Sequence, residues 1–262
     1  MTQAEPGTPH ALASDAPGAD ASAIPALFQR THILVGDAGV ARLRSARVLV
    51  AGLGGVGAFV AEALARAGVG ELTLVDFDRV APSNLNRQLP ALHSTLGELK
   101  SQVMAARIRD INPECRLTLI ERFLEPEAMP ELLAAGYDQV ADAIDSLASK
   151  VALIETAVRT GTPIVSSMGA GGRLDPTRIR VGDLMDTSVC PLARAVRARL
   201  RKAGIARGVT VVWSDETYLP PLPPEPTGHG RPRAVNGTIS YMPALFGLML
   251  AGVLIRRILA EG

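Results

Sequence analysis

RVLVAGLGGVG, residues 47–57, is a β-branched run that breaks directly into glycines. Arg47–Ala51 reads as a strand. Gly52, Gly54 and Gly57 follow in G-x-G-x-x-G spacing, and Ala58–Ala67 continues with apolar residues at helical spacing until Gly68 stops it. A strand, a glycine turn and a helix in that order bring backbone N–H groups and the positive end of a helix dipole to one point, where a phosphate can sit. Asp76 lies 19 residues past Gly57, at the end of the next apolar run, Leu72–Asp76. A carboxylate there can accept hydrogen bonds from ribose hydroxyls. These features alone serve an adenine nucleotide and NAD equally well.

Strands and helices alternate outward from this point. Leu99–Ile111 reads as an amphipathic helix stopped by Asn112-Pro113, and Leu117–Ile120 as a third strand. Tyr137–Ala143 reads as a fourth strand, Leu147–Arg159 as a helix and Pro163–Ser167 as a fifth strand. The pattern predicts right-handed βαβ units: a doubly wound, mainly parallel Rossmann-like α/β sheet covered on both faces. Residues 47–167 form the expected nucleotide-binding core. Residues 168–262 form an extension facing substrate and a second subunit, with strands at Ile179–Val181 and Val209–Trp213, a basic helix at Pro191–Lys202 and a last helix from about Pro243 to Leu259. Residues 219–233 are rich in Pro and Gly and read as a mobile loop.

Composition bounds the function. At 262 residues with 47% hydrophobic content, the chain can bury the core of one large α/β domain spanning 27–262. The first 26 residues are Ala-, Pro-, Gly-, Ser- and Asp-rich, lack the pattern of a signal peptide and read as a disordered tail. Ala234–Ile255 carries no charge, but its dense apolar part is short enough for a buried helix, and no stable membrane insertion is expected. Two cysteines, Cys115 and Cys190, cannot build a four-thiolate zinc site or a disulfide framework, and a reducing, cytoplasmic location is expected. Formal net charge is only +1, yet the segment from Cys190 to Val235 holds eight basic residues against three acidic ones. That segment offers a surface to a phosphate backbone, or else a solvated helix face.

Three further features discriminate between nucleotides. Asn84-Leu85-Asn86-Arg87-Gln88 is a polar, basic loop soon after Asp76, and Lys100 opens the next helix. A triphosphate needs converging cations; Arg87 can fork onto phosphate oxygens and Lys100 can act as a point charge, although singly each could be an ordinary exposed cation. Asp142-Ala143-Ile144-Asp145-Ser146 ends the fourth strand, where doubly wound sheets bind ligands. Asp145 can hold Mg²⁺ against phosphates or cap the helix at Leu147. A nicotinamide-dependent dehydrogenase would explain the glycines and Asp76 but leave Arg87, Lys100 and Asp145 without a task.

The combination of GLGGVG (52–57), LVDFD (74–78), NLNRQ (84–88), Lys100 and DAIDS (142–146) resembles the ubiquitin-activating-type adenylyltransferases, which adenylate carboxylates with ATP and Mg²⁺ on a Rossmann-like domain. The resemblance implies Asp76 on the ribose, Asn84, Arg87 and Lys100 on the phosphates and Asp145 on Mg²⁺. Gly55, Asp78, Gln88 and Ser146 fall within the same nucleotide-binding motifs. It also implies a homodimer in which an N-terminal arginine, here Arg30 of FQRTHILVG, enters the partner's site. Within that group the chain is most similar to the tRNA threonylcarbamoyladenosine dehydratases, through NRQLPALHSTLG (86–97), RIRDINPEC (107–115), SSMGAGGRLDPTRIRVGDL (166–184) and NGTISYMPALFGLMLAG (236–252). The implied reaction adenylates the threonyl carboxylate of a modified tRNA adenosine and closes a ring, with loss of AMP. A sulfur-transfer protein is a candidate partner. The alternative is activation of the C-terminal glycine of a ubiquitin-like sulfur carrier, whose enzymes usually have two CxxC pairs that this chain lacks. Cys190, before Pro191 at a helix start, is weighed as a nucleophile, and its surroundings read instead as a helix cap. Cys115 reads as a strand-entrance residue. His93, near the NLNRQ loop, reads as structural.

Overall fold

The computed structural model describes residues 25–225 and 233–260. The tail expected over 1–26 therefore lies outside the described residues, save its last two positions. Seven strands form one sheet: β1 (Arg47–Ala51), β2 (Glu71–Val75), β3 (Arg116–Ile120), β4 (Gln139–Asp142), β5 (Ile164–Ser167), β6 (Ile179–Asp183) and β7 (Thr210–Ser214). Their order is β3-β2-β1-β4-β5-β7-β6. All neighbours pair in parallel except β6, which runs antiparallel to β7 at one edge. The sheet continues from the expected core across residue 167 into the extension.

Side-chain alternation on these strands builds two cores. Val48 and Val50 of β1, Leu72 and Leu74 of β2, and Val212 of β7 point to one face. There they meet α2 (Gly57–Ala67), α3 (Lys100–Ile111) and α7 (Met242–Ala260). Leu49, Ala51, Val75, Val211 and Trp213 point to the other face. There they meet α4 (Met129–Ala134), α5 (Leu147–Thr160) and α6 (Pro191–Lys202). The period of two in the strands thus produces a three-layer sandwich.

Helix α7 is long and apolar enough to cross a membrane, with mean hydropathy 1.7 over its best window. Here it lies along the sheet beside α2, with Phe246, Leu250 and Leu254 buried. A Cβ at Gly247 would strike the Val56 carbonyl, so glycine sets how closely α7 can approach the start of α2. Three elements depart from the sequence expectation. Helix α1 (Gln29–Ser45), interrupted at Gly36 (φ 67°), and the short α4 carried no clear apolar period. Part of the expected loop at 219–233 is an antiparallel ribbon of β8 (Leu222–Glu225) and β9 (Arg233–Val235). Prolines masked its strand character, and they are tolerated because this ribbon has only edges.

Candidate functional site

Strand order reverses between β1 and β4: β2 and β3 extend one way from β1, and β4 and β5 the other. Loops leaving the carboxyl ends of β1 and β4 diverge there and open a crevice. A cleft of about 310 Å³ occupies this place, and Asp76, Arg87, Lys100 and Asp145 all line it. Residues drawn from four separate loops or helix starts thus converge on one cavity.

The glycines of the first turn have distinct tasks. Gly52 sits at φ +89°, where an L side chain is strained, and a Cβ would meet the Ala143 carbonyl at 2.8 Å. A Cβ at Gly57 would run into the Gly52 carbonyl, so this glycine permits α2 to start directly against the turn. Gly54 faces more open space: its nearest neighbour would be Gln88 Nε2 at 3.7 Å. Gly54 and Gly55 both line the cleft, and Gly54 is where a ligand can approach backbone. Gly55 is backed by Pro243, the second residue of α7, so the far end of the chain braces the turn.

Asp76 is tied to the same turn. Its carboxylate accepts from Leu53 N at 2.6 Å and from Asp78 N at 2.8 Å. Burial pushes its pKa above the ordinary value, while the Lys100 charge and those two N–H groups pull it back. Lys100, at the first position of α3, is itself buried and pairs with Asp78 at 2.9 Å. An ammonium has three donors, so this bond leaves capacity for an anion in the cleft. Arg87 is held by one terminal nitrogen, which donates to Ser83 O and Asn86 Oδ1, both at 2.8 Å. Burial lowers its pKa, but a guanidinium remains charged at any physiological pH. Gln88 lines the cleft with its Oε1 buried and without a hydrogen-bond partner. Buried polar atoms are normally satisfied, so this carbonyl fits a ligand donor.

Asp145 and Ser146 line the opposite wall, on the loop between β4 and α5. Asp145 is exposed on that wall. Among the described residues no cluster of three or more Asp, Glu, His or Cys could hold a metal. This donor set still fits Mg²⁺, which commonly takes one or two carboxylates together with substrate phosphates and water.

Beneath that loop lies a network that the sequence reading missed. Lys150 Nζ donates to Asp142 Oδ2 at 2.7 Å and to Ser167 O at 3.0 Å. Ser166 Oγ donates to the same Asp142 oxygen at 2.5 Å, and Asp142 Oδ1 accepts from Ile144 N at 3.0 Å. The pair therefore joins the ends of β4 and β5 and fixes the backbone that leads to Asp145. A Lys eight residues after an Asp was the available signal, but nothing local says that the two meet. The sequence reading also missed Phe77 and Phe123, whose rings meet edge to face at 5.2 Å on the cleft wall, and Thr238. The Thr238 carbonyl accepts from Asn86 Nδ2 at 2.9 Å, tying the 84–88 loop to the segment before α7.

Three assigned residues do not line the cleft. Gly57 acts behind it, as described. Asn84 is buried, and its Oδ1 accepts from Ala81 N at 3.1 Å to close the turn that presents Arg87. Arg30 is exposed on α1. Cys190 is buried next to Gly169, where a Cβ would stand 3.7 Å from its Sγ, and it does not line the cleft. His93 is also absent from the lining.

Comparison with known proteins agrees with this geometry. The ThiF family profile matches residues 28–262. A Bacillus subtilis tRNA threonylcarbamoyladenosine dehydratase is 44% identical over 192 residues, covering 73% of this chain and 76% of that protein. An Escherichia coli protein of the same name is 43% identical over 201 residues, covering 74% and 75%. The crystal structure of the Escherichia coli enzyme in complex with ATP superposes with a TM-score of 0.81 at 38% identity, covering 89% of this chain and 94% of that one.

Proposed function

The chain belongs to the ThiF family, and from that premise we propose that it is an ATP-dependent tRNA threonylcarbamoyladenosine dehydratase. The observation that carries the reading is the convergence of Asp76, Arg87, Lys100 and Asp145 on one cleft above the glycine turn. Relatives named for this activity support it at 43–44% identity over about three quarters of the chain, as does the ATP-bound relative.

A carboxylate is a poor electrophile because its oxygen leaves badly. ATP supplies AMP as the leaving group. Asp76 would accept from the ribose hydroxyls, and Gly54 would admit the phosphates to backbone. Arg87 and Lys100 would balance the charge that develops as pyrophosphate departs. Asp145 would hold Mg²⁺, which supplies further charge neutralisation on the phosphates. The acyl adenylate then meets the carbamoyl group of the same substrate. Its nitrogen attacks the activated carbonyl, AMP leaves and the ring closes, with proximity as the main contribution. No enzymic nucleophile is required, in keeping with the burial of both cysteines. These free thiols also suit a cytoplasmic protein.

A homodimer belongs to the same proposal. Arg30 is exposed on α1, one turn before the exposed apolar pair Ile33 and Leu34, so docking of a second copy there would carry the arginine into an interface. A sulfur-transfer protein remains a candidate partner.

Mass spectrometry of nucleosides after incubation with ATP and tRNA bearing threonylcarbamoyladenosine tests the assignment. Loss of one water from that nucleoside is expected. AMP–pyrophosphate exchange stimulated by a protein ending in Gly-Gly, and not by tRNA, would instead establish the sulfur-carrier alternative.

A further inference from the structure

We propose that the solvent face of α6 is the track along which the tRNA backbone approaches the cleft, with Arg194, Arg199, Arg201 and Lys202 as its phosphate contacts. The inference rests on the tRNA reading above and adds the surface.

Among the described side chains of the basic segment, these four remain unengaged. Arg197 is spent on Thr187, donating to its carbonyl at 2.7 Å and to its hydroxyl. Arg207 pairs with Asp186 at 2.5 Å. Arg194, Arg199, Arg201 and Lys202 are exposed and make no ion pair among the described residues. The helix contains no acidic residue. Ala193, Val196 and Leu200 are its buried side. At about 100° per residue the four cations fall on the arc opposite that side.

Position separates a docking surface from helix stabilisation. Arg199, Arg201 and Lys202 stand in the last turn, where cations also complement the helix dipole. Arg194 stands in the first turns, where a cation opposes the dipole, so helix stability does not explain it. Arg194 is two residues beyond Leu192, which lines the cleft. Arg194 stands about 200° round the helix from Leu192, so it is the N-terminal end of α6 that meets the cavity, and the cations lie on the solvent side of a helix roughly 18 Å long. A polyanion following it would deliver one nucleotide to the cleft while its neighbours stay on the helix.

The test uses the full chain and a tRNA carrying threonylcarbamoyladenosine, with affinity measured across a salt series. Each lost phosphate contact flattens the slope of log K against log salt by roughly 0.7–0.9. The quadruple alanine variant is expected to flatten it by roughly 3, and a triple lysine-for-arginine variant (R194K, R199K and R201K, with Lys202 kept) to preserve it. ATP affinity should stay at the wild-type value in both sets, which shows that the fold is intact. Arg194→Ala alone should flatten the slope by about one contact without lowering Tm. Wild-type slopes in Arg194→Ala and in the quadruple variant would overturn the surface while leaving the dehydration reading standing, provided wild type still removes water from the nucleoside. A wild-type protein that neither binds nor dehydrates the tRNA would overturn both.

Discussion

Lys150 Nζ lies 2.7 Å from Asp142 Oδ2 with both side chains wholly removed from solvent. The pair sits directly under the loop that carries Asp145, and its remaining bonds reach Ile144 of that loop and the end of β5. Breaking a buried pair leaves an uncompensated charge and typically costs about 3–5 kcal/mol, whereas replacing both partners costs much less. Lys150→Met is therefore expected to lower Tm strongly, and Asp142→Asn with Lys150→Met to recover much of the loss. Denaturant unfolding of the wild type and the two variants measures this. A double variant no more stable than Lys150→Met would show that the charge pairing is not what matters.

Arg87→Ala and Asp145→Ala should each reduce turnover by at least about 100-fold, the scale of losing a charge contact in the transition state. Pyrophosphate release under saturating ATP and tRNA gives the rate. Near-normal rates in both would remove these residues from the machinery.

Asp76 is expected to make ATP affinity depend on pH at the acid end. Ribose hydroxyls donate to an ionised carboxylate, and burial holds this carboxyl above its ordinary value of 3.8. As pH falls, protonation thus begins to weaken binding at a higher pH than it would for an exposed aspartate; well above the folded pKa the contribution is flat. Titration of ATP binding in wild type and Asp76→Asn separates this step from protonation of ATP itself. A common acid limb in both proteins would exclude Asp76 as its source.

Phe77 and Phe123 extend the cleft beyond Asp76 with an apolar edge. With the ribose on Asp76, that edge suits the adenine base. Phe123→Ala should raise KM for ATP and change kcat little, because a contact to a non-reacting part binds ground and transition states alike. An unchanged KM would place the base elsewhere.

Cys190→Ser should keep most activity, since the thiol is buried off the cleft. Burial pushes the Cys115 thiol up to about 11, so little thiolate exists at pH 8. Slow alkylation of the native chain, rapid only on denaturation, is the expected outcome. A dead Cys190→Ser variant with intact ATP binding would restore the nucleophile.

The sequence by itself determined the elements whose signal is local. The β1 run, the glycine turn, the helix expected from Ala58 and found from Gly57, and the Pro191–Lys202 helix emerge from residues that touch their chain neighbours, and the seven strands of the main sheet fall within a residue or two of their expected ends. Helix α1 was not legible because its apolar residues Ile33 and Leu34 face outward and Gly36 interrupts it. Tertiary structure alone decided which motif residue meets the ligand space. Asn84 looked equivalent to Arg87, yet its carbonyl is consumed in closing a turn. Lys150 was not singled out within the expected 147–159 helix, yet it is buried beneath the site. Pro243, at the far end of the chain, braces Gly55. Burial and hydrogen-bond partners depend on elements distant in sequence, and periodicity and spacing along one segment carry no information about what packs against it.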